Sequence, residues 1–346
     1  MSGCQPAAIA AATEGLLASV LQDCRQCALL DFPDYGNVGD SAIWLGQLEA
    51  LRRIGVEVRY VASALSLSPQ VLRERMPRGV ILIGGGGNFG TLWPQPQAHR
   101  ERVLAEFRDY PVVQLPQSIF YDSDESLQRT RELIAAHPDF TLMVRDEASL
   151  RIATERLRAK AAACCDSAFF LHGKLARSAP EVDIFVLARS DKERSAGDMR
   201  ELLAASGCSF AIDDWVEDPM TLPRWLAARW WPRAHGRLTR VPGFFGGLGA
   251  LWRAAAWRRA RRGSRALSRG RVVITDRLHA HILCVLLDIP HVVLDNSYGK
   301  VQGFIASWTA GSPLVHRAST PAEAVARAKA LLAPPTSVPA GVLAPE

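Results

Sequence analysis

In Thr275-Asp276-Arg277-Leu278-His279-Ala280-His281, an arginine and a histidine stand two residues apart. The apolar run Arg271–Thr275 precedes them and a helical pattern, Leu278–Leu287, follows. Arg277 and His279 therefore fall at a strand-to-helix junction, where both can point at a ligand over the sheet edge. Arginine offers a planar fork suited to phosphate or carboxylate. Histidine titrates near neutral pH and serves as general acid and base. Asp276 reads as an orienting neighbour, and His281 as a structural residue inside the helix.

Other strand ends carry polar or glycine-rich turns. In Asp34-Tyr35-Gly36-Asn37-Val38-Gly39-Asp40, Gly36 and Gly39 permit close approach of a ligand to the main chain, and Asn37 and Asp40 add polar groups at a helix start. Asp40 has two readings, a helix N-cap and an acceptor for a sugar hydroxyl, and both can hold. Gly84-Gly85-Gly86-Gly87-Asn88-Phe89-Gly90 exceeds what a tight turn needs. A turn uses one or two glycines, so Gly85, Gly86, Gly87 and Asn88 read as backbone donors for an anion or a sugar. No Gly-Lys-Ser/Thr follows, which excludes a nucleotide P-loop. In Leu294-Asp295-Asn296-Ser297-Tyr298-Gly299-Lys300, the polar residues Asn296, Ser297 and Tyr298 lead to the cation Lys300, either as a site wall or as a solvated loop. Arg145 and Arg189 also follow strands. Each is a candidate anion clamp or a surface ion pair with the acids beside it.

The elements that must position these residues alternate along the chain. Strands are predicted at Cys27–Phe32, Val56–Val61, Val80–Ile83, Val112–Leu115 and Thr141–Val144, with helices at Ser41–Ile54, Gln97–Tyr110, Ser126–Ala136 and Glu147–Leu157 and a short one opening at Ser68-Pro69. After the small-residue stretch Ala161–Ala163 the pattern restarts, with strands at Asp183–Ala188, Ser209–Ile212, Arg271–Thr275 and His291–Leu294. Helices are predicted at Ala196–Ala205, Leu278–Leu287, Val301–Trp308 and Pro321–Leu332. Such alternation implies an α/β protein with parallel sheets covered on both faces. Two Rossmann-like domains facing a cleft is the simplest architecture.

The 346 residues are 48% hydrophobic and 22% charged, which excludes collagen-like and wholly disordered chains and allows two domains. The longest apolar runs, such as Val80–Ile83 and Ile282–Leu287, fall far short of the roughly 18–20 residues of a membrane span. No basic stretch precedes Glu14, so a cytoplasmic chain is expected. Seven cysteines with a single Cys24-Arg-Gln-Cys27 motif read as reduced thiols, not as a disulfide framework or a metal site. Charge is uneven. Pro219 to Thr275 holds 13 arginines, no acid and five of the nine tryptophans, which leaves the rest of the chain at −7 against a whole-chain net charge of +6. Arginine with tryptophan is the composition of a surface meeting anionic lipid headgroups. A solvated insertion is the competing reading, and nucleic acid falls behind both. In Leu248–Arg262 the arginines surround the helical axis and Trp252 and Trp257 lie on nearly opposite sides, so the argument there is electrostatic.

The ordered set Gly36-Asn37-Val38-Gly39-Asp40, Gly84–Asn88, Val144-Arg145-Asp146, Asp276-Arg277-Leu278-His279 and Asp295–Lys300 resembles the polysaccharide pyruvyl transferases, in particular the bacterial exopolysaccharide ketal-pyruvyl transferases. The resemblance extends from Leu29 to Trp308. It implies a GT-B-like fold, with residues 1–165 on the acceptor side and 166–332 on the donor side. The Arg/Trp-rich window 219–270 stands outside the family pattern as an insertion, and the Pro- and Ala-rich end, 333–346, reads as a disordered tail. It also implies metal-free chemistry with no resident cofactor and phosphoenolpyruvate as donor. Arg277 and Leu278 would bind that donor, His279 would be catalytic, and a second donor-binding arginine would match Arg189 or Arg145, with Arg189 favoured. Lys300 would add a cation and Asp40 would take a hydroxyl proton. The acceptor would be a repeat unit on a lipid carrier, with the basic window holding the enzyme at the anionic leaflet. A GT-B glycosyltransferase using a nucleotide sugar, and a non-enzymatic polyanion-binding protein, are the alternatives.

Overall fold

The structure is a computed structural model and describes residues 5–22, 24–188, 199–215, 244–294 and 299–333. The chain opens with α1 (Pro6–Leu21), β1 (Gln26–Leu30), α2 (Val38–Arg53), β2 (Glu57–Ala62), α3 (Pro69–Arg75), β3 (Val80–Ile83) and β4 (Gly86–Gly90). It continues with α4 (Pro94–Glu106), β5 (Val112–Phe120), α5 (Asp124–Ala136), β6 (Phe140–Val144), α6 (Glu147–Arg151) and β7 (Lys160–Ala163). A 3₁₀ turn, Ser167–Leu171, leads to β8 (Val182–Leu187), α7 (Arg200–Ser206) and β9 (Phe210–Asp213). The remainder is α8 (Phe244–Ser268), β10 (Gly270–Thr275), α9 (Leu278–Leu286), β11 (His291–Leu294), α10 (Lys300–Phe304), β12 (Val315–Ala318) and α11 (Pro321–Leu332).

The first sheet has the order β2-β1-β3-β5-β6-β7, with β4 paired to β5, and the second the order β12-β11-β10-β8-β9. Every pairing is parallel. Parallel strands buried on both faces read as unbroken apolar runs, which is why β3, β6 and β11 are buried at every position. Side-chain caps set the helix starts: Ser68, Ser123 and Thr320 each accept a backbone N–H three residues on.

Both sheets share one topology. In each, the chain order reverses beside the first strand, between β1 and β3 and again between β8 and β10. Loops leaving the carboxyl ends of such strand pairs diverge and form a crevice for ligands. The Asp34–Asp40 segment follows β1, the glycine run follows β3, and Asp276–His279 follows β10. The three motifs thus sit at the two switch points.

Several details differ from the sequence reading. Asn37, not Asp40, caps α2, its Oδ1 accepting the Gly39 N–H at 2.8 Å. Gly86–Gly90 forms β4, because β5 continues past Pro116 and offers Gln117–Phe120 as a partner. Ala161–Ala163 lies within the edge strand β7 and is not a break, since β6 supplies its ladder. The strand β12 was not predicted either. The expected helices at 147–157 and 301–308 each end in a π turn, Ile152–Arg156 and Ile305–Thr309.

Helix α8 divides its arginines between two destinations. Arg259 is buried and donates to Pro33 O at 2.9 Å, while Arg262 donates to Gly36 O at 2.9 Å and Trp215 O at 2.7 Å. Trp252 stacks on Phe32 with centroids 4.5 Å apart. The inner face of α8 therefore holds the loop between β1 and α2. On its far side α2 packs against the 3₁₀ turn, where a methyl at Gly46 would fall 1.9 Å from Ser167 O. In an open helix, Gly→Ala stabilises by about 1 kcal/mol. Here Gly46→Ala must push backbone from backbone, so thermal and urea unfolding should show a loss of about 1–3 kcal/mol. A gain in stability would mean that this contact is looser than described.

Candidate active site

The second sheet meets the first at Asp166. Its carboxylate is 1% exposed and Oδ2 accepts from Arg145 Nη1, while Oδ1 accepts the Ala168 N–H at 2.8 Å and so caps the 3₁₀ turn. His279 Nε2 lies 3.5 Å from Asp166 Oδ2 and 3.4 Å from Arg145 Nη1. Burial alone would raise the Asp166 carboxyl, but the Arg145 guanidinium and the His279 ring outweigh it and hold the group well below the usual carboxylate range. Arg145 is itself 2% exposed and fixed at three further points: its Nε donates to Ser118 Oγ at 2.9 Å, its N–H to Gln117 O at 3.0 Å, and its carbonyl accepts from Trp308 Nε1 at 2.9 Å.

Glycine is required on both sides of this group. A Cβ at position 39 would lie 2.4 Å from His279 Nδ1, and one at position 87 would lie 2.9 Å from Arg145 Nη2. The first turn of α2 and strand β4 thus press main chain against the imidazole and the guanidinium.

Arg277 is placed differently. Its Nη2 donates to both carboxylate oxygens of Asp214, at 2.6 and 2.8 Å, and its backbone N–H to Thr275 Oγ1 at 3.1 Å. Its Nε is buried with no partner among the described residues. Leu278 packs into the core beneath. His281 is structural as expected: its Nδ1 lies 2.8 Å from His291 Nε2 and its Nε2 lies 2.9 Å from Thr309 Oγ1.

Around Asp40, a concavity of about 10 Å³, room for a single water, is lined by Asp31, Tyr35, Asp40, Gln47, Gly85 and Asn88 among others. Asp40 Oδ2 accepts from Tyr35 OH at 2.8 Å. Gln47 is buried, and neither its Oε1 nor its Nε2 has a partner among the described residues. Asn88 Oδ1 accepts from Gln117 Nε2 at 2.9 Å and from Arg100 Nη2 at 3.0 Å. Arg100 is fully buried, and its guanidinium is pulled down to about 10 by desolvation. Among the described residues it donates only to neutral amides, through Nε to Gln114 at 2.6 Å and Nη1 to Gln97 at 2.8 Å, and it lies over the Phe89 ring.

The structure thus brings His279, Arg145, Gly39 and Gly87 together, and gathers Asp40, Gly85, Gly86 and Asn88 beside them. Gly36 contributes its carbonyl to Arg262, and Asn37 its cap. Of the two arginines offered as second donor ligand, Arg145 stands at His279. Arg189, Asn296, Ser297 and Tyr298 lie outside the described residues, as does the side chain of Lys300. Sequence reasoning missed Asp166, Asp214, Gln47 and Arg100. Asp166 carried one signal: a lone acid between Cys164-Cys165 and the apolar Ala168–Leu171.

The sequence pattern of the polysaccharide pyruvyl transferases matches residues 37–298. The chain is 31% identical to pyruvyl transferase 1 of Schizosaccharomyces pombe over 84% of its length and 71% of that protein's. It is 28% identical to the putative pyruvyl transferase EpsO of Bacillus subtilis over 82% and 85%. The crystal structure of an uncharacterised Klebsiella pneumoniae protein shares the fold, with a TM-score of 0.56 and 18% identity, over 90% of this chain and 99% of that one. A parallel α/β transferase with arginine and imidazole at its strand ends is the class that the fold and site define. The chain belongs to the polysaccharide pyruvyl transferase family.

Removing the anion tests the centre of this site. Asp166→Asn leaves Arg145 buried without a carboxylate, which should lower stability at pH 7 by roughly 3–5 kcal/mol. The folded-state pKa of Asp166 is depressed, so its contribution is complete above the unfolded carboxyl pKa of about 4 and fades as pH falls below it. The stability gap between wild type and Asp166→Asn should therefore narrow below about pH 4. Urea titrations at several pH values would show it, and a gap that widens on acidification would contradict the pairing.

Proposed function

We propose that the chain transfers pyruvate from phosphoenolpyruvate to two hydroxyls of one sugar in a polysaccharide repeat unit, closing a cyclic ketal and releasing phosphate. The observation that carries this reading is the meeting of Arg145 from the first sheet with His279 from the second, 3.4 Å apart, in a family that moves pyruvyl groups. The donor is a small, highly charged anion that needs fixed cations and an acid. Arg145 and Arg277 supply cations. The buried, unpartnered Nε of Arg277 favours a phosphate or carboxylate oxygen beside it, because leaving such a donor unsatisfied costs about 1–3 kcal/mol.

His279, as imidazolium, protonates the donor methylene and generates an oxocarbenium-like C2. A sugar hydroxyl attacks C2 and gives its proton to Asp40. The second hydroxyl displaces phosphate and closes the ring. In net terms, one hydroxyl proton ends on the new methyl group and the other on phosphate. Backbone amides of the glycine run and the fixed guanidinia stabilise the charge that develops. On this reading residues 1–165 serve the acceptor and 166–332 the donor, as two Rossmann-like domains of GT-B type facing a cleft. Lys300 and Arg189 are additional candidate donor ligands, and the reaction draws on no resident cofactor. The acceptor is a repeat unit on a lipid carrier, so the enzyme works at the cytoplasmic face of a membrane.

Incubation with phosphoenolpyruvate and a panel of pyranosides should yield a pyruvyl adduct by mass analysis, together with free phosphate. His279→Ala should lower turnover roughly 10²-fold or more. Gly39→Ala, which presses a methyl on the same ring, should also slow turnover while the protein stays folded. Near-normal turnover in His279→Ala, or consumption of a nucleotide sugar with no phosphate released from phosphoenolpyruvate, would sink the reading.

A further inference from the structure

The outer face of α8 is a surface the reaction does not use. Phe244–Ser268 holds six arginines and no acid or lysine. Its inner face, which includes Leu248, Ala256, Arg259, Ala260, Gly263 and Leu267, is buried against the rest of the chain. The opposite face is exposed at Leu251, Arg253, Ala254, Arg258, Arg261 and Arg265. At 100° per residue these side chains fall within one arc of roughly 160°. From Leu251 to Arg265 they run about 21 Å along the axis. Leu251 is 69% exposed at the apolar end, and the Arg261 guanidinium lies 5.5 Å from the centre of the half-buried Trp257 ring. No carboxylate pairs with Arg253, Arg261 or Arg265 among the described residues.

We infer that this face docks on an anionic lipid bilayer, with Leu251 entering the headgroup layer and the arginines lying among lipid phosphates. A straight cationic face with an aliphatic and an aromatic side chain on it is the chemistry of a bilayer interface, where apolar and charged groups are both satisfied. Nucleic acid would reward the arginines but leave Leu251 in water. The position of the helix strengthens the case. Its inner face holds Pro33 and Gly36 in the loop that leads to Asp40, so a bilayer on the outer face lies about one helix diameter, 10–12 Å, from that loop. A sugar anchored to a lipid would be presented at that height. The choice of partner rests on the acceptor reading above, but the test does not.

Sedimentation of the full chain with phosphatidylcholine vesicles, with and without phosphatidylglycerol and at low and high salt, decides it. Binding should need phosphatidylglycerol and weaken with salt. The triple variant Arg253→Glu/Arg261→Glu/Arg265→Glu should bind roughly a hundredfold more weakly, about fivefold for each removed charge. Reversal of the exposed Arg102, Arg129 and Arg151 elsewhere on the surface should leave binding near wild type, and thermal melts should show all variants folded. Binding indifferent to phosphatidylglycerol, or equal losses in the two triple variants, would overturn the inference. So would retention on heparin or RNA with no vesicle binding. Pyruvyl transfer is not part of the readout: a chain that binds vesicles as expected but transfers nothing upholds this face and refutes the reaction.

Discussion

A carboxylate shut away from water is tolerated only where a cation and hydrogen bonds replace its hydration, and the geometry around Asp166 does this from three directions. Arg145 comes from the end of β6, His279 from the first turn of α9, and the Ala168 N–H from the turn that Asp166 itself caps. Separately, Arg145 and Asp166 would each face a desolvation penalty of several kcal/mol. Together they fix one another, and the imidazole comes to rest against both. The ion pair adds little net stability, but with His279, 134 residues beyond Arg145, it joins elements distant in the chain and fixes their register. It holds at one point both a strand end of the first sheet and the helix start of the second.

The same economy of fixed dipoles recurs under the glycine run. Among the described residues no carboxylate pairs with the buried Arg100, which is satisfied by Gln97, Gln114, Asn88 and the Phe89 ring. Two donors therefore occupy Asn88 Oδ1, which leaves its amide nitrogen as the group available to a ligand. Asp40, across the same concavity, is an acceptor. A hydroxyl needs one partner of each kind, and the two side chains provide them, with the unpartnered Gln47 amide behind. On the proposed reading, hydroxyl recognition at this concavity rests on preset orientation more than on charge.

What the sequence revealed and what it hid divide along a physical line. Strands buried on both faces are unbroken apolar runs, so β1, β3, β6, β8, β10 and β11 were legible, and the turns after them stood out through glycine and polar residues. Ala161–Ala163 and Gly86–Gly90 were not legible as strands, because their side chains carry no β preference and only the neighbouring ladders of β6 and β5 make them extended. Arg145 and His279 were visible as types at strand ends. That Arg145 reaches His279 depends on how the two sheets meet, which no local pattern encodes. Asp166 and Asp214 were hidden for the same reason: each acts through an arginine far away in the chain. The arginines of α8 surround its axis, as the sequence indicates. Their division into an inner set that holds a loop and an outer set that meets solvent follows only from where the helix packs.

Both arginines that the proposed reaction sets against its donor already hold a carboxylate, Asp166 on Arg145 and Asp214 on Arg277. A crevice of bare guanidinia would attract any anion in the cell. Here each cation is neutralised by a partner of its own, so a singly charged ion gains little by entering. A ligand with several negative charges and oxygens set to reach both groups at once gains two contacts for one loss of translational freedom. Selectivity for a compact polyanion can therefore arise from the neutrality of the resting site and not from an excess of positive charge. The excess sits instead on the outer face of α8, where a broad, non-selective attraction is of use.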